Sequence, residues 1–141
     1  MPQFANHTEG LRFRIVLKPG VAIGPGKADL LQAIGETASL TAAAKVSGMS
    51  YKRCWILVQE MNGAFVEPLV TTAKGGIGGG GGTQLTSLGR QVLKRFRQME
   101  GDAASAVAAG IADLRRHLKP DTDGPAPKAA RGRTGRRRLD D

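Results

Sequence analysis

Between Leu40 and Leu85 four unlike stretches follow one another so closely that few folds can hold them. They are an alanine-rich run, a lone glycine, a capped run of apolar and basic residues, and a nearly pure glycine tract. Thr41 to Val46 includes Ala42, Ala43 and Ala44, which have high helix propensity, and Ser39 or Thr41 ahead of them can cap the free amides of a helix N-terminus. Small side chains there let another helix approach closely. Gly48 can take the left-handed conformation that ends a helix, and Ser50 is a second N-cap residue. Helix, glycine turn and capped helix make a helix-turn-helix pattern.

On the second helix Tyr51, Cys54, Trp55, Val58 and Met61 recur at steps of three and four, which predicts one apolar stripe facing the core. The opposite face, at about 100° per residue, holds Lys52, Arg53, Ile56, Gln59 and Glu60. Two cations there can reach phosphates or guanine edges and an amide can pair with adenine. The same set also suits a solvated helix surface. Ile56 fits a DNA face only where it meets a thymine methyl, so its role stays open.

The segment after this helix tips the balance towards DNA. Phe65 to Thr72 is short and β-rich, and Pro68 confines it to an edge or a bulge. Lys74, Gly75, Gly76, Ile77 and the glycines to Gly82 cannot build a core, yet glycine backbone can approach a phosphate and Lys74 brings charge. Gln84 and Leu85 would return as the second strand of a wing. The tract also matches a dinucleotide fingerprint at Gly76, Gly78 and Gly81, with Glu100 about twenty residues on. That match is rejected: a five-glycine run satisfies many spacings, Pro68 interrupts the preceding strand, and no βαβ unit fits around it. A phosphate loop at Gly26 and Lys27 fails too, with Val21 in place of the earlier glycine and Ala28 in place of the metal-binding hydroxyl.

Together these residues resemble a known family. Gly35 to Leu88 is similar to the N-terminal DNA-binding domain of the ModE-type molybdate-responsive regulators, relatives of the LysR-type helix-turn-helix. MSYKRCW from Met49, EMN from Glu60, the Lys74 to Gly82 tract and LTSLG from Leu85 carry the likeness, which runs more weakly back to Leu11. It implies that Ser50, Tyr51, Lys52 and Arg53 begin a recognition helix, that Lys74 to Gly82 form the wing, and that the regulated genes are molybdenum-related. Full-length members carry C-terminal barrels that bind molybdate. Neither their strand-rich pattern nor the length to build them is found here, which puts molybdate binding in doubt while the DNA expectation stands.

Charge agrees with a polyanionic partner: 21 Lys and Arg against 12 Asp and Glu leave a net +9. The aromatic residues Phe4, Phe13, Tyr51, Trp55, Phe65 and Phe96 are too few and scattered for a single-strand stacking platform. Cys54 is the one cysteine, which excludes an intrachain disulfide and a cysteine-rich zinc site and suits a small buried side chain. With no secretory apolar region and no apolar span of eighteen residues, the expectation is a cytoplasmic protein without a membrane partner. Nucleophile, acid–base and metal motifs are lacking, so neither an enzyme nor a cofactor is expected.

Around this centre the chain divides simply. Residues 1–10 are polar and expected to be mobile. From Leu11 to Leu17 apolar residues alternate with Arg12 and Arg14 as in a half-buried strand, and Lys18 to Gly26 reads as a loop. Lys27 to Thr37 is a helix burying Leu30, Leu31 and Ile34. Thr86 caps a final helix over residues 86–118, whose apolar positions Leu88, Val92, Phe96, Met99, Ala103, Val107, Ile111, Leu114 and Leu118 keep steps of three and four. Such a helix would span about 48 Å at about 1.5 Å per residue, more than a small core covers, which points to a homodimer through Val92, Phe96, Met99, Ala103, Val107 and Leu114. Gly101 and Gly110 weigh for a break there and a hairpin folded back on the domain. Residues 119–141, with Arg131, Arg133, Arg136, Arg137 and Arg138, are expected to be a disordered basic tail.

The expected fold is mainly α with a small β component, a winged helix-turn-helix over residues 11–85 with a long C-terminal helix. The expected function is a dimeric, sequence-specific regulator of transcription acting on double-stranded DNA. Its contacts would come from Thr41, Ser50, Tyr51, Lys52, Arg53, Gln59, Lys74, Gly75, Gly76, Gly78 and Gly79. The alternative is a protein interaction module derived from the same fold without specific DNA recognition.

Overall fold

The computed structural model of the chain describes residues 9–73 and 82–121. Its elements run β1 (Ile15–Lys18), β2 (Val21–Ile23), α1 (Pro25–Thr37), α2 (Leu40–Ser47), α3 (Tyr51–Ala64), β3 (Val70–Thr72), β4 (Thr83–Leu85) and α4 (Ser87–Arg115). The described residues fall into two compact units that divide between Ala108 and Ala109.

In the first unit β1 and β2 form an antiparallel hairpin, Ile15 facing Ile23 and Val16 facing Ala22, with a bulge before Lys18 pairs Val21. The strand expected over Leu11 to Leu17 is thus shorter and later, and the expected loop from Lys18 contains β2. Gly20, at φ 87°, makes the turn so tight that only Pro19 and Gly20 lie between the strands. Leu17, at the bulge, is more than half exposed rather than on a buried face. Phe13 precedes β1 and meets Phe96 edge to face, ring centroids 5.5 Å apart.

Helix α1 starts at Pro25, where proline's fixed φ and missing N–H suit the first helical position. It ends at Ala38, a left-handed residue without the excuse of being glycine (φ 57°), whose N–H bonds the Ile34 carbonyl at 2.8 Å. The Ala38 carbonyl in turn accepts the Thr83 N–H at 3.1 Å, fastening β4 to the α1–α2 turn. Strands β3 and β4 pair antiparallel as Val70 with Leu85, Thr71 with Gln84 and Thr72 with Thr83. Phe65 to Leu69 is outside the strand, a correction to the longer β segment read from sequence.

One core gathers Leu30, Leu31 and Ile34 of α1, Ala43 and Ala44 of α2, Cys54, Leu57, Val58 and Met61 of α3, and Leu69, Val70 and Leu85 around the second hairpin. A smaller cluster joins Ile23, Ala28 and Phe96, flanked by Phe13, Ile15, Val92, Leu93 and Met99. Phe96 is 1% exposed. It is a core residue of its own chain, so its assignment to a dimer surface is corrected, and Val92 and Met99 are partly used up in the same packing. Arg97 holds α4 to α1, its guanidinium 2.8 Å from Asp29 and 2.7 Å from the Gln32 amide oxygen, with Glu100 at 2.9 Å. Burial works against that charge, but hydrogen bonds and charges from Asp29 and Glu100 outweigh it and raise the Arg97 pKa above its ordinary value.

In the second unit the described residues are the last turns of α4 and a tightening turn in which Arg116, His117 and Leu118 N–H groups bond back to Ala112 and Asp113, Leu114, and Arg115. The helix therefore stops at Arg115, three residues short of the expected Leu118, while Gly101 and Gly110 both lie inside it. Residues 1–8, 74–81 and 122–141 lie outside the described part. The expected mobile N-terminus, the wing residues Lys74, Gly75, Gly76, Gly78 and Gly79, and the basic tail fall wholly or mainly there.

Candidate nucleic-acid interface

The local geometry begins with two serine caps. Ser39 Oγ accepts the Ala42 N–H at 3.1 Å and starts α2, which resolves the choice between Ser39 and Thr41 in favour of the former. Thr41 is exposed on the first turn. Gly48, left-handed at φ 71°, closes α2 with its N–H directed to the Ala44 and Lys45 carbonyls. Two residues later Ser50 Oγ accepts the Arg53 N–H at 3.0 Å and starts α3. The turn is short because each helix end is satisfied within it.

Helix α3 buries Cys54, Leu57, Val58 and Met61. Tyr51 and Trp55 were expected on that stripe, yet they are 54% and 49% exposed. The apolar arc of α3 from Leu57 round to Trp55 covers about 160° at about 100° per residue, and the core shared with α1, α2 and the second hairpin covers the side centred on Met61 and Cys54. Leu57, absent from the expected stripe, is 4% exposed instead. Lys52, Arg53 and Gln59 are exposed, as is Glu60, whose carboxylate lies 3.5 Å from Lys27 Nζ. Ile56 is half-buried. Burial raises the Cys54 thiol pKa and Arg53 nearby acts against it, so the thiol stays protonated within the core.

Asn62, the last residue of the EMN run, fastens the second hairpin to α3. Asn62 Oδ1 accepts the Leu69 N–H at 2.8 Å and the Val70 N–H at 3.1 Å, and its amide donates to the Val70 carbonyl at 2.9 Å. Beyond its place in that run, which says nothing of its role, its sequence signal is a polar amide in the last turn of a helix that buries apolar residues. From the other side Thr86 Oγ1 donates to the Pro68 carbonyl at 2.7 Å and accepts the Gly89 N–H at 2.9 Å, while the Thr86 N–H bonds Leu69 O at 2.9 Å. Gly89 permits this: a Cβ there would stand 2.1 Å from the Leu69 carbonyl oxygen. The hairpin is therefore tied to α1, α3 and α4 by backbone and amide bonds.

The structure thus brings Ser50, Tyr51, Lys52, Arg53 and Gln59 onto one helix, with Thr41 on the helix before it. Of the expected dimer residues, Val107 and Leu114 are 37% and 69% exposed and Ala103 is half-buried. No helix among the described residues is long and apolar enough to cross a membrane.

No family model matches the chain. Individual proteins do. The chain is 38% identical over 100 residues to the molybdenum-pterin-binding protein MopB of Rhodobacter capsulatus, covering 71% of this chain and 34% of that protein. It is 41% identical over 88 residues to the molybdenum transport protein ModE of Azotobacter vinelandii, 62% of this chain and 32% of the relative. With the DNA-binding transcriptional dual regulator ModE of Escherichia coli (strain K12) it shares 38% over 72 residues, 51% of this chain and 27% of that one. Over half or more of its length the chain is thus homologous to the ModE and Mop molybdenum proteins, none of which is named as an enzyme. The chain spans about a third of the length of the curated relatives it matches.

Proposed function

We propose that this chain is a winged helix-turn-helix that binds double-stranded DNA as a regulator of molybdenum-related genes. In this reading α2, the Gly48 turn and α3 form the helix-turn-helix, with α3 entering the major groove. The β3–β4 hairpin is the wing, and α4 pairs with its copy in a homodimer. The observation that carries the proposal is α3 itself: capped at Ser50 and buried on one side only, it presents Lys52, Arg53 and Gln59 to solvent. Likeness to a named DNA-binding regulator supports it independently.

Lys52 and Arg53 suit guanine edges and phosphates, Gln59 suits adenine, and helix-terminal amides and the hairpin suit the phosphate backbone. After correction for Phe96, pairing of two chains rests on Ala103, Val107 and Leu114, continued at helical spacing by Ile111. A gel-shift experiment on DNA selected by the chain from a random pool tests the reading. Lys52→Ala with Arg53→Ala should lower affinity for the selected site by tenfold or more and relax its sequence preference. Lys74→Ala should weaken all sequences similarly. Binding by the double variant equal to wild type would remove α3 from the interface. Growth with and without molybdate, followed by mapping of bound DNA, tests the molybdenum part.

A further inference from the structure

The chain holds one tryptophan and one tyrosine, and both are exposed on the same helix a single turn apart. Resting on the DNA-binding reading above, we propose that Trp55 reads thymine through its 5-methyl group in the major groove. Trp55 would then be a specificity-determining residue that the expected set of contacts lacks.

The placement carries the argument. At about 100° per residue Trp55, Gln59, Lys52 and Ile56 fall within a sector of about 100°, opposite the one buried by Cys54, Leu57, Val58 and Met61. Tyr51 stands one turn before Trp55 in the same row. A scattered exposed apolar residue calls for no explanation. Two exposed aromatic side chains one turn apart, with Lys52 in the same sector and Arg53 on the next flank of the helix, call for a partner that is at once anionic and apolar. DNA has both properties in the major groove, where phosphates flank the groove and thymine presents the only methyl group on its floor. Lys52 and Arg53 supply the charge complement. The indole has no acceptor and a single donor, so it cannot make the paired hydrogen bonds that distinguish guanine or adenine, whereas its apolar face matches a methyl.

The test uses the full chain, duplexes selected from a randomised pool, and copies of the best duplex in which each thymine in turn is replaced by deoxyuridine, which differs only in lacking that methyl. Wild type should bind about fourfold more weakly when the contacted thymine is replaced, as expected for one methyl removed from an apolar contact. Trp55→Ala should weaken binding to the thymine duplex and lose the distinction between thymine and uracil at that position. Because Trp55 is the sole indole, its emission should shift when the duplex binds, and this readout needs no variant. Specific binding with no deoxyuridine penalty, with the penalty intact in Trp55→Ala, or with unchanged emission overturns the inference and leaves the DNA-binding reading standing. Absence of any selected sequence overturns both.

Discussion

At the residue scale, the most demanding positions are those where backbone meets backbone at the foot of the β3–β4 hairpin. Asn62 makes three hydrogen bonds to β3 and its approach, so Asn62→Ala leaves two amides and a carbonyl to find other partners. It should lower the unfolding free energy by about 3 kcal/mol in urea denaturation. Gly89→Ala tests a different restraint. Alanine normally improves a helix by about 1 kcal/mol over glycine, but here its Cβ would meet the Leu69 carbonyl at 2.1 Å. The sign should reverse, with a loss of about 2 kcal/mol or more. Neither residue was marked out by composition or periodicity, because each acts on backbone that is distant in sequence.

At the element scale, α2 and α3 were legible because their limits are set by neighbours in sequence: Ser39, Gly48 and Ser50 satisfy the helix-end groups within a few residues. Strand β2 was not, since three residues, Val21–Ile23, carry too little periodicity to distinguish a strand from a loop. Helix α4 gives the converse of Gly89. A Cβ at Gly101 or Gly110 would meet nothing within 4 Å. Alanine at each should stabilise the helix by about 0.5–1 kcal/mol, seen as a higher melting temperature and a gain in helical circular dichroism. A loss of stability would mean that the backbone at these glycines departs from helix in solution.

At the scale of the whole molecule, a chain of net charge +9 that binds DNA through phosphates should lose affinity steeply with salt. The log–log slope should be about −0.9 for each phosphate neutralised. A slope near zero would favour a surface that holds another protein. Pairing through α4 predicts that Val107→Glu with Leu114→Glu converts dimers to monomers in sedimentation equilibrium while the chain stays folded, since both side chains are exposed.

The sequence by itself determined where the helices that matter begin, through caps and a glycine whose effects are local, and it determined the charge that an anionic partner would meet. The outward polar side of α3 was legible too, but where its buried arc ends was decided only by tertiary packing. That helix carries apolar residues around nearly half its circumference, and periodicity cannot choose which of them α1 and α2 will cover. Packing covered Leu57 and left Tyr51 and Trp55 in solvent. The same competition for cover took Phe96 from the surface of α4 into the core. Burial is shared among elements far apart in the chain, so no single segment's pattern specifies it.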